Sequence, residues 1–220
     1  MNLWIKICGN TSLADALLAA EAGVDAVGFV FAPSPRRVTV EQAAQITPHL
    51  PASLEKIGIF VDASLAEMSE AIRTCSLTGV QLHSCSTSDT SAQLRAQFGS
   101  SLRILRVVHF GPEAAQQAAA FAADPVTDAI LVDSRTATVV GGTGITFDWS
   151  EAGRTLFGPG PTAKLIAAGG LSPVNVAEAI ATLRPWGVDV VSGVEAAPGR
   201  KDPIKLRDFI RLARQAHNSL

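Results

Sequence analysis

The chain has 220 residues, of which 47% are hydrophobic and 17% charged, and its 18 basic and 20 acidic residues give a formal net charge of -2. This composition excludes a disordered protein, and the balanced charge gives no sign of binding to nucleic acid or to a membrane surface. No apolar run approaches the ~20 residues that span a bilayer. Three cysteines, an odd number, argue against a disulfide framework, so we expect a cytoplasmic protein.

Short apolar runs alternate with alanine-rich helical stretches along the whole chain. Near-continuous apolar runs are typical of parallel strands that are buried on both faces, and each strand-plus-helix unit has roughly 25–30 residues. We expect strands at 3–8, 26–31, 57–61, 80–83, 103–108, 129–133, 163–168 and 188–192, and helices at 13–22, 40–50, 64–75, 88–98, 112–123, 149–156, 173–183 and 204–216.

Eight such units predict an α/β fold, a (β/α)8 TIM barrel, with residues 1–220 as a single catalytic domain. The alternative is an open, doubly wound sheet, which would have a Gly-x-Gly-x-x-Gly loop after its first strand. Cys8, Gly9 and Asn10 follow that strand instead, which favours the barrel.

In such a barrel the active site lies at the C-terminal ends of the strands. Alternation along the first strand places Trp4, Lys6 and Cys8 on one face, where the ammonium of Lys6 would favour the thiolate of Cys8. The other interpretation of Cys8 is a small buried hydrophobic residue. The further candidates at strand ends and in the adjoining loops are Arg36, Arg37, Asp62, Gln81, His83, His109, Asp133, Ser192 and Gly193.

Two strand ends carry an aspartate. Asp133 ends the apolar strand 129–133, and a carboxyl group facing a partly dry cavity would have a raised pKa that suits proton donation. The alternative role for Asp133 is to cap a following turn. Asp62 is interpreted first as a turn or cap residue, because a helix begins directly after it.

Two glycine-containing segments suit a phosphate group. Gly169 and Gly170 follow the seventh strand, and Ser192 and Gly193 follow the eighth. Small residues let backbone N–H groups approach an anion, and many barrels bind phosphate after these two strands. A third glycine cluster, at 141–144, is interpreted as a mobile loop.

Other chemistries find little support. The four histidines show no metal-ligand spacing with one another or with the cysteines, so no metal is expected. Arg200 and Lys201, with the arginines at 207, 211 and 214, are interpreted as a solvated helix face.

Seven motifs follow one another in register at the strand ends: Lys6-Ile7-Cys8-Gly9, Gly28-Phe29-Val30-Phe31, Ser34-Pro35-Arg36, Val80-Gln81-Leu82-His83, Gly141-Gly142-Thr143-Gly144 with Phe147-Asp148-Trp149, Gly169-Gly170-Leu171 with Asn175-Val176, and Asp189-Val190-Val191-Ser192-Gly193-Val194-Glu195. With these motifs the chain resembles phosphoribosylanthranilate isomerase along essentially its whole length. The resemblance implies an enzyme of tryptophan biosynthesis that catalyses an Amadori rearrangement of phosphoribosylanthranilate without a metal or an organic cofactor.

The resemblance also implies roles for individual residues. Cys8 would be the general base and Asp133 the general acid, and the planar fork of Arg36 would hold the anthranilate carboxylate. The partner would be this small-molecule substrate, and the protein a monomer or a homodimer. The further substrate-binding residues are Gln81, His83, Gly142, Thr143, Gly144, Gly169, Gly170, Asp189, Ser192 and Gly193.

Three positions depart from the family pattern. Arg37 follows Arg36 where the family often has an aromatic or another residue, so both arginines are candidates for the substrate contact. Ile145 stands where many members have lysine, which leaves the phosphate charge mainly to N–H groups. Ser84 follows His83 where glycine is usual.

Two other functions stay open. Another phosphate-binding barrel enzyme is possible, such as a sugar-phosphate epimerase or an indole-glycerol-phosphate synthase. The synthase would need an active-site network of lysine and glutamate, and Lys6 is the only lysine at a strand end. A non-catalytic sugar-phosphate-binding barrel would tolerate the loss of Cys8 and Asp133.

Overall fold

The computed structural model describes residues 2–83, 88–134, 148–158 and 163–220. Within these ranges, strands and helices alternate as β1 (Trp4–Ile7), α1 (Leu13–Glu21), β2 (Ala26–Val30), α2 (Val40–Ile46), β3 (Glu55–Val61), α3 (Leu65–Thr74), β4 (Gly79–His83), α4 (Ser88–Phe98), β5 (Arg103–His109), α5 (Ala114–Ala123), β6 (Ala129–Asp133), α6 (Trp149–Thr155), β7 (Leu165–Ala167), α7 (Val176–Leu183) and β8 (Gly187–Val190). The short strands β9 (Glu195–Ala197) and β10 (Arg200–Lys201) then form an antiparallel hairpin before α8 (Pro203–Asn218).

Strands β1 to β8 form a closed barrel. Neighbouring strands pair in parallel in chain order, and β8 pairs with β1. This arrangement confirms the predicted (β/α)8 barrel. The register places Lys6 beside Asp189 and His109 beside Asp133, so residues far apart in the chain become neighbours.

Local sequence explains where several helices begin. The side chain of Ser12 accepts a hydrogen bond from the Asp15 N–H at the start of α1. Ser64 and Glu67 form a reciprocal capping box at the start of α3, and the Asp148 side chain caps α6. Such caps satisfy backbone N–H groups that the first helical turn leaves without partners.

The predicted helix bounds differ most from the structure in the second and seventh helices, whereas most of the others shift by only one or two residues at an end. The stretch 40–50 is not one continuous helix: α2 ends at Ile46 and a 3-10 turn, Thr47–His49, follows it, because Pro48 lacks the N–H that would continue the ladder. The seventh helix begins at Val176 rather than at Pro173, because the side chain of Asn175 bonds to the preceding loop.

Apolar side chains fill both sides of the barrel wall. The larger cluster packs the helices against the strands. A second cluster packs inward-facing residues of several strands together, with Trp4, Ile57, Leu105, Leu131 and Ile166 among its members. None of the described helices has the length and apolar content to cross a membrane. The polar residues at the C-terminal ends of the strands therefore lie on one side of a packed apolar barrel interior.

Candidate active site

Cys8 follows the last residue of β1 and is only 4% exposed. Its N–H donates to the Val190 carbonyl at 2.9 Å, which continues the barrel ladder to this residue. A Cβ added at Gly28, on β2, would lie 2.6 Å from Cys8 Sγ. Glycine at position 28 thus makes the space in which the sulfur lies, a role that the sequence analysis did not assign.

Lys6 and Asp189 form a buried ion pair inside the barrel. Lys6 Nζ donates to Asp189 Oδ1 at 2.7 Å, and the two side chains are 0% and 6% exposed. Burial opposes the charge of Lys6, yet Asp189 and the nearby Cys8 outweigh it and raise the pKa of the ammonium. Asp189 is therefore occupied by Lys6, and its contact with substrate stays a prediction.

The ionisation of Cys8 differs from the expectation. Lys6 does favour the thiolate, as predicted, but burial dominates and raises the pKa of the Cys8 thiol. Asp189 adds to this increase, whereas Lys201 opposes it. The prediction considered Lys6 alone, and it overlooked the cost of removing a thiolate from water. In the free protein Cys8 is therefore held as a thiol.

Arg36 lies in the loop after β2 and belongs to a second buried charge network. Its Nε donates to both carboxylate oxygens of Glu195, at 2.9 and 3.1 Å, and its Nη2 donates to Oε2 at 2.6 Å. Hydrogen bonding to Glu195 raises the pKa of Arg36 further. Arg37, the alternative candidate, is exposed, so the two adjacent arginines have different surroundings.

Lys201 completes this network and corrects the sequence analysis. The sequence pattern predicts a solvated helix face for this residue, but Lys201 lies in β10 and is 3% exposed. Its Nζ donates to the Cys8 carbonyl at 2.6 Å and to Glu195 Oε1 at 3.2 Å. Pro198-Gly199 is a turn signal between two short segments, and it could have revealed the hairpin.

Asp133 ends β6 and is 6% exposed. Alternation from the inward-facing Leu131 places the Asp133 side chain on the inner face of the barrel. Gly169 packs closely against it, since a Cβ at position 169 would lie 2.6 Å from Asp133 Oδ1 and 2.5 Å from Ser134 N. The backbone of Gly169 also has a φ of +80°, which L side chains rarely adopt. Glycine is thus required beside the candidate acid.

Polar side chains of β4 and β5 form another part of the barrel mouth. Gln81 is buried, and its Nε2 lies 2.9 Å from His83 Nε2. The His83 and His109 rings are tilted, with 6.1 Å between their centroids. The structure thus brings the candidates Gln81, His83 and His109 together, and the contact of Gln81 and His83 with substrate stays a prediction.

The loops after β7 and β8 touch each other. A Cβ at Gly193 would lie 1.9 Å from the Leu171 carbonyl oxygen. Asn175 holds the first loop, because its side chain accepts from the Ser172 N–H at 2.8 Å and donates to the Gly170 carbonyl at 3.0 Å. Within the described part of the chain, no group accepts a hydrogen bond from the N–H of Gly170 or Gly193. The two predicted phosphate segments thus form one patch, in which these two N–H groups have no acceptor among the described residues.

The barrel closure brings most predicted residues to one rim. Cys8 and Asp133 stand on β1 and β6, three strands apart around the barrel, and the loops of β7 and β8 lie between them. Both groups therefore flank the space above the barrel axis. Residues 142–144, which the resemblance implies to bind substrate, and residues 84 and 145, which depart from the family pattern, lie outside the described residues.

Comparison with known proteins gives a consistent result. The family described as N-(5'phosphoribosyl)anthranilate (PRA) isomerase matches residues 5–212. A relative with that activity in its name, from Pseudomonas fluorescens, is 44% identical over 210 residues, which cover 95% of this chain and 97% of the relative. A second, from Pelobacter propionicus, is 41% identical over 215 residues, 97% of each chain.

Solved structures agree with the relatives. Phosphoribosyl anthranilate isomerase from Thermotoga maritima superposes with a TM-score of 0.85 and 34% identity, over 97% of this chain and 99% of that one. Another structure of this isomerase, in complex with reduced 1-(o-carboxyphenylamino)-1-deoxyribulose 5-phosphate, has a TM-score of 0.79 and 32% identity over the same shares. The similarity therefore extends over nearly the whole barrel.

Proposed function

The chain belongs to the N-(5'-phosphoribosyl)anthranilate isomerase family, aldose–ketose isomerases of tryptophan biosynthesis, and from this premise we propose that Cys8 and Asp133 carry its acid–base chemistry. The observation that supports the assignment is their position. Both are buried at C-terminal strand ends, on opposite sides of the phosphate-suited loops. The reaction converts N-(5-phosphoribosyl)anthranilate into 1-(2-carboxyphenylamino)-1-deoxyribulose 5-phosphate.

The proposed mechanism needs one acid and one base. Asp133 donates its proton to the furanose ring oxygen, the C1′–O bond breaks, and the nitrogen lone pair forms an iminium. Cys8, as thiolate, removes the C2′ proton, and the C–H electrons form the enolamine, which tautomerises to the ketone. Because burial raises the pKa of Cys8, its thiolate is the rarer form but binds a proton more strongly once formed.

Arg36 is proposed to bind the anthranilate carboxylate. Its guanidinium is buried, stays charged, and uses Nε and Nη2 to bind Glu195. Among the described residues, Nη1 has no hydrogen-bond partner, so it can donate to a ligand. The exposure of Arg37 makes it the weaker candidate.

The phosphate is proposed to lie on the loops after β7 and β8. The N–H groups of Gly170 and Gly193 and the residues beside them, Gly169 and Ser192, supply donors without side-chain bulk. Gly142, Thr143 and Gly144 would complete this cradle, and Gln81, His83 and Asp189 are the other proposed substrate-binding residues. Such a site needs no lysine, because preorganised backbone dipoles suit an anion.

The remaining features of the proposal concern the protein as a whole. We propose that residues 1–220 act as one catalytic domain in the cytoplasm, where a reducing environment would keep the Cys8 thiol free. The oligomeric state is proposed to be a monomer or a homodimer. A relative from Thermotoga maritima is described as dimeric, which supports the second.

Two variants test the acid–base assignment. Cys8→Ser and Asp133→Asn should each reduce turnover of phosphoribosylanthranilate by about 10²–10⁴-fold, the usual contribution of a positioned acid or base. The decay of substrate fluorescence measures this rate. Cys75→Ser is the matched control for the first variant, because Cys75 is also a buried thiol but its Sγ donates to the Val40 carbonyl, outside the barrel. Wild-type rates in Cys8→Ser or Asp133→Asn would refute the assignment.

A further inference from the structure

A single buried ammonium connects the base of the proposed mechanism with the carboxylate-binding group. Lys201 Nζ contacts the Cys8 carbonyl at 2.6 Å on one side and Glu195 Oε1 at 3.2 Å on the other. Glu195 in turn accepts three hydrogen bonds from Arg36. The chain of contacts therefore runs from the end of β1 through Lys201 and Glu195 to the guanidinium.

Hydrogen bonds hold the hairpin that carries Lys201 in place, both at Lys201 itself and at the turn. The Lys201 N–H donates to Asp15 Oδ2 at 3.3 Å, on α1. At the turn, the Gly199 N–H donates to Glu195 Oε1 at 3.2 Å, and its carbonyl accepts from the Thr11 hydroxyl at 2.6 Å. A lysine held in this way has little freedom, so its ammonium can define the positions of the groups that it binds.

The charges of this network do not cancel. Burial lowers the pKa of Lys201, and the neighbouring Glu195 opposes this decrease. With Lys201 protonated, Arg36 and Lys201 carry two positive charges against the one negative charge of Glu195, so these three side chains have a net charge of about +1. Without Lys201, the bidentate pair of Arg36 and Glu195 would be neutral. An anionic ligand is attracted by the first arrangement and much less by the second.

We propose that Lys201 is a positioning residue for both halves of the reaction. Through Glu195 it keeps the Arg36 guanidinium in place, and its own positive charge offsets that of Glu195 where the substrate carboxylate binds. Through the Cys8 carbonyl it fixes the strand end from which the thiol reaches C2′. This inference rests on the proposed roles of Arg36 and Cys8.

Binding measurements on Lys201→Met test the first half. The probes are the reduced product analogue, 1-(o-carboxyphenylamino)-1-deoxyribulose 5-phosphate after reduction, and its counterpart made from aniline, which lacks the carboxyl group. Lys201→Met should raise Kd for the carboxylated probe about 10- to 100-fold and for the aniline probe less than about threefold, because only the first uses Arg36. Lys201→Arg, which keeps the charge, should restore the preference for the carboxylated over the aniline probe to within about fivefold of the wild-type value.

Steady-state kinetics test the second half. Lys201→Met should both raise KM and lower kcat by about 10- to 100-fold, since a displaced base misses the C2′ proton. A purely structural role would reduce the folded fraction, and thereby kcat, without changing KM or the preference for the carboxylated probe. Arg200→Met is the matched control, because it removes one positive charge from the exposed residue of the same strand, and its kinetics should equal the wild type.

The outcomes separate this inference from the proposed function. If Arg36→Met keeps the preference for the carboxylated probe, the role of Arg36 is wrong. If Arg36→Met loses that preference while Lys201→Met keeps it, only the inference on Lys201 is overturned. Circular dichroism checks that each variant is folded. Should Lys201→Met not fold, Lys201→Gln, which keeps a donor but no charge, is measured with the same probes and the same criteria.

Discussion

Replacing Lys6 by methionine should destabilise the barrel by removing one half of a buried ion pair. At the observed 2.7 Å between Lys6 Nζ and Asp189 Oδ1, the attraction is about 6 kcal/mol for an effective dielectric constant of about 20. Desolvation costs several kcal/mol for each ion, so the intact pair contributes little in total. Lys6→Met, however, leaves the Asp189 carboxylate buried without its cation, and we expect a loss of about 3–5 kcal/mol.

Urea unfolding followed by circular dichroism measures this loss. The double variant Lys6→Met/Asp189→Leu removes both charges and should return to within about 2 kcal/mol of the wild type. Because the pKa of Lys6 is raised, its stabilising charge is present through neutral pH and disappears only above the ordinary lysine range of about 10.4. The reasoning is refuted if Lys6→Met costs no more than the double variant, since Asp189 would then not depend on Lys6.

Three further predictions concern the loops, the thiol and a helix cap. Gly193→Ala should raise KM at least about tenfold, because the added Cβ would lie 1.9 Å from the Leu171 carbonyl oxygen and displace the proposed phosphate loop. Gly111→Ala is the control, since a Cβ there meets no atom within 4 Å and should leave KM unchanged. Equal KM values for the two variants would contradict the proposed phosphate site. The rate of Cys8 alkylation by iodoacetamide, followed by peptide mapping, should be half-maximal at a pH above the ordinary thiol pKa of about 8.5. The reason is that burial raises the pKa of Cys8, so the thiolate forms only at higher pH. A half-maximal rate at or below about pH 8.5 would contradict this prediction. Ser12→Ala should lower the free energy of unfolding by about 1 kcal/mol, because α1 loses its cap, and a change within measurement error in urea unfolding would show that the cap does not contribute.

The strands were predictable because parallel barrel strands are apolar on both faces. Their bounds were less predictable where a polar residue takes part in pairing. The third strand begins at Glu55 rather than at the predicted residue 57, because Glu55 and Lys56 pair with Ala26 and Val27 on β2. The apolar pattern alone does not show that a charged residue belongs to a ladder, since the pairing depends on the neighbouring strand.

The candidate site was predictable to the extent that it follows from alternation and strand ends. Cys8 and Asp133 are found this way, because Cys8 comes directly after β1 and Asp133 is the last residue of β6. The partners of the charged residues cannot be predicted from alternation or from strand ends. Arg36 and Glu195 are 159 positions apart in the chain, and no local pattern indicates that they meet. For the same reason Lys201 resembled a solvated residue until the hairpin placed it beside Cys8.

The most direct test of the account is the identity of the product made by the wild-type protein. Purified phosphoribosylanthranilate is incubated with the protein, and the products are separated by chromatography and identified by mass spectrometry. The account predicts an isomer of unchanged mass, 1-(2-carboxyphenylamino)-1-deoxyribulose 5-phosphate, which Cys8→Ser and Asp133→Asn form about 10²–10⁴-fold more slowly. Recovery of only anthranilate and ribose 5-phosphate, the products of spontaneous hydrolysis, would contradict it.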